Sequence, residues 1–205
     1  MKITIYTDGS SRGNPGPGGW ASVLITEHGT SDSRQQIADE RDEVIELGGR
    51  ENLTTNNRME LMGAIKGLQA ISSEPLALSN TNESMDGEAS LGQRPIAHNQ
   101  QLLSVQVCTD SEYVRKGMTE WISGWVKKGW KTSTKKDVLN KDLWEQLLHE
   151  ETRLKNTGIA VMWKYVPGHA GVPGNERADV IATECADNAS HLQLYRGSKR
   201  EYSHF

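Results

Sequence analysis

Cysteine is nearly absent. Cys108 and Cys185 are the only two in 205 residues, and each sits in an apolar pattern, so two buried free thiols are expected in place of a bridge. No apolar run reaches the ~18 residues of a membrane-spanning helix, which argues against membrane association. The opening residues, "MKITIYTDG", run straight into a strand pattern and leave no room for a signal peptide. Together these features point to the cytoplasm. Apolar residues are also scarce, at 35%, and mean hydropathy is −0.63, so parts of the chain are expected outside the core. Finally, the Gly/Pro-rich stretch "TDGSSRGNPGPGGW" (7–20) contains no lysine, and no Gly-Lys-Ser/Thr follows it. That excludes a P-loop nucleotide binder.

What is present is unevenly charged. The net charge of −4 argues superficially against a polyanionic partner. Between 115 and 141, however, stand eight basic residues (Arg115, Lys116, Lys127, Lys128, Lys131, Lys135, Lys136 and Lys141) against two acidic ones (Glu120 and Asp137). From 27 to 51 the balance reverses, with eight acidic residues against three basic ones. A basic stretch is what a phosphate backbone would meet.

The length fits one domain. Residues 2–8 read as a strand ending at Asp8, "GWASVLITEHG" as a second across the Gly/Pro turn, and "EVIELGG" (43–49) as a third, in an antiparallel meander. A helix follows, with Leu61, Ala64, Ile65 and Leu68 at helical spacing, Asn56 as its N-cap and 59–71 as its body. "LLSVQVCTDS" is a fourth strand. "EYVRKGMTEWISGWVKKGW" suggests two short helices punctuated by Gly117 and Gly124, and "NKDLWEQLLHEETRLKN" is an amphipathic helix. "IAVMWKYVPG" is a fifth strand, and "PGNERADVIATECADNA" a last helix opened by Pro173. This order predicts a mixed α/β sheet, antiparallel at first and parallel later. Residues 72–103 carry no sustained period and are expected to be a flexible insertion. The catalytic domain is expected to span 1–189, and the stretch 190–205 reads as a disordered tail.

The chemistry begins with an echo: "IYTDGS" and "VCTDSE" are both apolar strands ending in Thr-Asp. Laid parallel in one sheet, they bring Asp8 and Asp110 out together at the carboxyl ends, where α/β sheets bind ligands. Carboxylates that close repel unless protonated or bridged by a cation. Glu60 follows Asn56 by one turn, and Asp179 follows Asn175 by one turn beside apolar Ala178. Taken singly, each of these fits a solvated helix carboxylate better than a ligand. Four acids suffice to hold two hard divalent cations, the arrangement that serves in-line phosphoryl displacement.

Four stretches, "TDGSSRGNPGPGGW", "TTNNRMELMGAI", "TDSEYVRKGMTEWISGWVKKGWKT" and "VPGHAGVPGNERADVIA", occur in that order, and together the chain closely resembles a type 1 ribonuclease H. The resemblance covers roughly 1–26, 52–71 and 105–187. It implies a five-stranded mixed sheet of order 3-2-1-4-5 flanked by helices. It also implies Mg²⁺-dependent endonucleolytic cleavage of the RNA strand of an RNA–DNA hybrid, with two ions per site and Mn²⁺ as a substitute. Matched position by position, the metal carboxylates fall on Asp8, Glu60, Asp110 and Asp179, with Asp8 bridging both ions. The family's mobile-loop histidine falls on His169, whose ordinary pKa suits it to shuttle a proton or assist product release.

The same resemblance implies the hybrid contacts. A protein tells RNA from DNA at the 2′-hydroxyl, which the wide minor groove displays. Asn14, Asn56 and Asn57 match groove-contacting positions, and amides both donate and accept there. Asn14, Thr55 and Asn140 match a pocket for a DNA-strand phosphate, and Asn175 is assigned to the nucleic acid as well. Trp125, Trp130, Lys127, Lys128 and Lys131, with Trp121, match a basic protrusion. Trp121 and Trp125, at i and i+4, equally fit packing residues. A monomer is expected.

The sequence departs from the family at Glu112, where many members carry glutamine, and in the 27–51 and 72–103 stretches. Two competing functions stay open at this level. One is a nucleic-acid-binding module that has lost catalysis, against which stands the complete acid set. The other is a phosphohydrolase of small substrates, against which stands the basic stretch.

Overall fold

A computed structural model describes residues 1–28, 40–73, 104–188 and 192–204. Three antiparallel strands open the chain: β1 (Lys2–Ser11), β2 (Gly16–Glu27) and β3 (Glu43–Thr54). Helix α1 (Asn56–Ser73) leads toward β4 (Ser104–Thr109), which lies parallel to β1 on its free side. Next come α2 (Glu112–Lys116), a π-helical turn (Gly117–Trp121), α3 (Ile122–Lys127) and α4 (Lys141–Asn156). Strand β5 (Ala160–Tyr165) adds parallel to β4, and α5 (Pro173–Ala186) follows.

The strand order is β5-β4-β1-β2-β3-β6. Its first five members are the expected mixed sheet. The sixth corrects the reading of 190–205 as a disordered tail, because β6 (Arg196–Ser198) pairs antiparallel with the start of β3. Three residues are too few to show a period of two, and the pairing rests on the backbone of β3. The insertion expected at 72–103 lies outside the described residues, apart from its first two positions, which continue α1.

Two apolar layers sandwich the sheet. On one face Ile3, Ile5, Val105 and Val107 meet Leu61, Ile65 and Leu68 of α1 and Leu143, Trp144 and Leu147 of α4. On the other, Ala21, Val23, Ile25 and Val44 meet Ala178, Ile181 and Ala182 of α5, with Tyr202 from beyond β6. Burial on both faces suits the nearly continuous apolar run Ala21–Ile25 of β2.

Two helix boundaries differ from the expectation. α1 starts at Asn56, and the Thr55 carbonyl accepts from the backbone N–H groups of Arg58 (3.0 Å) and Met59 (3.2 Å). Thr55 therefore stands at the cap and frees the Asn56 side chain. Gly117 does not break the helix after Asp110 either. The chain passes through a π turn, and the Thr119 hydroxyl donates back to the Arg115 carbonyl at 2.8 Å. Cys108 and Cys185 are both free, the first buried and the second only half so.

Candidate active site

The parallel register pairs Thr7 with Thr109, so Asp8 and Asp110 leave adjacent strands at the same level. The Gly9 N–H donates to Asp8 Oδ1 at 2.7 Å. After Asp110 the chain turns at once into α2, with the Ser111 hydroxyl accepting from the Val114 N–H as an N-cap. Glu60 arrives from α1, which lies directly on β1. A Cβ at position 9 would fall 2.2 Å from the Glu60 nitrogen, so only glycine permits this approach. One carboxylate oxygen from each of Asp8, Glu60 and Asp110 lies within 4.8 Å of the others. Asp179 reaches the same place from α5, close enough to act on Asp8 by charge and by hydrogen bonding.

Crowding of like charge in a buried place sets the protonation. Burial, then the Asp110 charge and more weakly Asp179 push Asp8 up to about 8, against the Gly9 N–H that favours its ionised form. Glu60 is raised well above the usual carboxylate range by burial and then by Asp8 and Asp110. The Asn56 amide donates to Glu60 Oε1 at 3.2 Å, while Glu60 Oε2 is buried with no hydrogen-bond partner. Converging hard oxygens, one of them orphaned, fit a hard divalent cation and would suit a soft metal poorly.

Around this cluster, Asn175 is buried and its Nδ2 donates to Asp110 Oδ2 at 3.3 Å, while its Oδ1 has no partner. His169 sits in the loop before α5 with φ of 52° and 82% side-chain exposure, its Nδ1 3.9 Å from Asp179 Oδ2. The loop passes close to the acids, since a Cβ at Gly168 would lie 2.9 Å from Asp110 Oδ2. Together these residues form one constellation: Asp8, Glu60, Asp110, Asp179, His169, Asn175 and Asn56.

The other expected contact residues form a second region. Asn14 is exposed in the β1–β2 turn, and Gly16 pairs with Thr54, which sets that turn beside the start of α1. There Asn56 and Asn57 are exposed and Thr55 half-buried. Asn140, left-handed at φ 58°, precedes α4, and its Oδ1 lies 3.5 Å from Arg58 Nη1. Arg58 in turn holds Asp142 through two bonds of 3.0 and 2.7 Å. Trp125 and Trp130 pack partly buried against the first core, the Trp125 ring 5.4 Å from that of Trp144 and 5.7 Å from that of Trp121. Lys127 and Lys128 are exposed at the end of α3, and Lys131 pairs with Asp137 at 2.5 Å. Glu112 is exposed and ion-paired with Lys116, which compensates its charge.

Two residues escaped sequence reading. The Tyr113 hydroxyl accepts from Asn140 Nδ2 (3.2 Å) and Trp144 Nε1 (3.1 Å) and donates to the Leu139 carbonyl at 3.4 Å. Arg58 ties α1 to α4. The Arg in "TTNNRME" was visible, but its partner lies 84 positions away.

The sequence matches the RNase H family over residues 1–187. It is 40% identical over 186 residues to the ribonuclease H of Chromohalobacter salexigens, covering 91% of this chain and 85% of that one. To the ribonuclease H of Phenylobacterium zucineum it is 42% identical over 197 residues, covering 96% and 98%. Among solved structures, LC9-RNase H1, a type 1 RNase H with the type 2 active-site motif, aligns with a TM-score of 0.65 at 26% identity, covering 98% of this chain and 79% of that one. LC11-RNase H1 in complex with RNA/DNA hybrid shares the fold, with a TM-score of 0.50 at 22% identity over 91% of this chain and 98% of that one. With the family matched across nearly the whole described fold and the acids gathered at the carboxyl ends of β1 and β4, the chain belongs to the RNase H family.

Proposed function

We propose that this enzyme cleaves the RNA strand of RNA–DNA hybrids endonucleolytically, with Asp8, Glu60, Asp110 and Asp179 holding two Mg²⁺ ions, for which Mn²⁺ can substitute. The observation that carries this reading is the cluster of converging acids with its buried, orphaned Glu60 oxygen. Bound there, the cations supply a polarised water and a counter-charge for the departing 3′-oxygen. A water oxygen attacks phosphorus in line, the bond from phosphorus to the 3′-oxygen breaks, and a proton ends on that oxygen. The RNA is left with a 5′-phosphate and a 3′-hydroxyl.

The chain's own groups orient this step. Asp8 feels the charge of Asp110 and, more weakly, that of Asp179. Asn175 fixes Asp110 by donating to Oδ2, and Asn56 does the same for Glu60. His169, exposed on its loop near Asp179, moves a proton at its ring nitrogen or helps product leave.

Hybrid binding is assigned to the second region. Asn14, Asn56 and Asn57 read the minor groove, and Asn14, Thr55 and Asn140 hold a DNA-strand phosphate. Lys127, Lys128 and Lys131, braced by Trp125 and Trp130, meet the backbone. Asn175, expected among these contacts, is buried against Asp110 and serves the acid cluster instead. A relative in the fold, LC11-RNase H1, was solved with such a hybrid, which supports the substrate class. Among the described residues no helix is long and apolar enough to cross a membrane. The reading includes a monomer working in the cytoplasm.

The test is purified protein on RNA–DNA hybrid, duplex RNA and duplex DNA, with and without EDTA. Cleavage confined to the hybrid and abolished by EDTA is expected. Equal cutting of duplex RNA would refute the specificity, and cutting that survives EDTA would refute the cation requirement.

A further inference from the structure

The family match ends at residue 187, yet residues 192–204 return to the sheet. β6 pairs with the start of β3, the Lys199 N–H donates to the Asp42 carbonyl at 2.9 Å, and Tyr202 enters the second core. Where this segment crosses β3 it meets Glu46, whose side chain is fully buried. Four donors converge on that carboxylate. Arg177 of α5 supplies Nε at 2.6 Å and Nη2 at 2.9 Å, while the C-terminal segment supplies the Tyr195 N–H at 2.9 Å and the Tyr202 hydroxyl. A buried charge is tolerated when its oxygens are this fully satisfied.

Arg177 stands between Asn175 and Asp179. At 3.6 residues per turn, residues four apart share one side of a helix and the residue midway points to the other. α5 is thus held at the acid cluster on one side and at Glu46 on the other. Its far end is fixed separately, by Arg12 on Asp187 (2.5 Å) and Arg50 on the Cys185 (3.2 Å) and Ala186 carbonyls. The Glu46 clamp acts on the turns that carry Asn175 and Asp179, where Asn175 also holds Asp110 and Glu176 accepts from the Gly171 N–H at 3.0 Å. Half of the clamp's donors come from beyond the matched family region.

We propose that residues 192–204 are a positioning strap for α5: by completing the hydrogen bonds of Glu46 they hold Arg177, and through it orient Asp179 and Asn175 at the acidic cluster. This rests on reading that cluster as the cation-binding catalytic centre. Apolar packing of the segment would add stability alone. The bonds into the Glu46–Arg177 pair add orientation, and misplaced groups around metal ligands typically cost about 10–100-fold in affinity or activity.

The test compares wild type, Tyr202→Phe and a chain ending at Asn188, using Mn²⁺ binding by EPR at 20 °C, hybrid cleavage and thermal melting. Tyr202→Phe keeps the ring in the core and deletes one donor. It is expected to weaken Mn²⁺ binding by roughly three- to tenfold, with the cleavage rate recovering at high cation and KM for the hybrid unchanged. The shortened chain is expected to go further, and if it does not fold, Tyr202→Phe decides. A Tyr202→Phe protein that melts earlier but binds Mn²⁺ as wild type does would overturn the strap. A wild type that binds Mn²⁺ without cutting hybrid would overturn the substrate reading alone, with the strap still judged by the Mn²⁺ shift.

Discussion

Nδ2 of Asn175 donates to Oδ2 of Asp110 across 3.3 Å, joining α5 to the end of β4. The pair links two elements that the chain brings together from 65 positions apart. Asp110 is thereby held in one orientation, with one of its oxygens within 4.8 Å of oxygens of Asp8 and Glu60. Asn175→Ala should lower hybrid cleavage by about 10–100-fold, chiefly through weaker cation binding. A cation titration of the cleavage rate checks it: the half-saturating concentration should rise more than KM for the hybrid.

The raised Asp8 gives a stability prediction of definite sign. In cation-free buffer the folded protein holds a proton on Asp8 up to about pH 8, while the unfolded chain releases it near the ordinary aspartate value of 3.8. Stability from this group is therefore full below that lower value and declines as pH rises toward 8. Asp8→Asn removes the decline. Its melting temperature should exceed wild type at pH 7.5 by a few degrees, the size of a ~1 kcal/mol effect in such a domain, and match it near pH 4. Calorimetry in EDTA at the two pH values distinguishes the cases.

Cation binding should also release protons. At pH 7 Asp8 must lose its proton before its oxygen can coordinate, and Glu60, raised as well, adds to this. Titration calorimetry with Mg²⁺ in buffers of different ionisation enthalpy should show proton release at pH 7 that shrinks at pH 9. A release independent of pH would contradict the assignment.

Tyr113→Phe would strip the acceptor from Asn140 and Trp144 together. Two donors left without a partner cost about 1–3 kcal/mol each where they are buried. KM for the hybrid should rise several-fold as Asn140 loses its orientation, with kcat little changed, since the Tyr113 hydroxyl bonds Asn140, Trp144 and Leu139 and not the acids.

Much of the site was legible because its chemistry sits at element ends. Asp8 and Asp110 close two apolar strands with the same Thr-Asp, and a parallel register is all that is needed to unite them. Glu60 and Asp179 were placed by helical spacing one turn after an asparagine. The Glu46–Arg177–Tyr202 clamp was not legible, because its partners lie 131 and 156 positions apart and the strand leading to Tyr202 has only three residues. Helix periodicity located α1 but not its cap, since Thr55 acts through a backbone carbonyl that any residue possesses. Sequence pattern reports which face a residue shares, and long-range hydrogen bonds leave no such mark.

The central claim is that the buried acids are the catalytic centre for hybrid cleavage. Single-turnover cleavage of a labelled RNA–DNA hybrid by wild type and Asp8→Asn, at saturating Mg²⁺, tests it most directly. Losing the acid that converges with Glu60 and Asp110 should remove several kcal/mol of transition-state stabilisation, slowing the rate at least about a hundredfold. An Asp8→Asn protein that folds and cuts the hybrid at the wild-type rate would contradict the account.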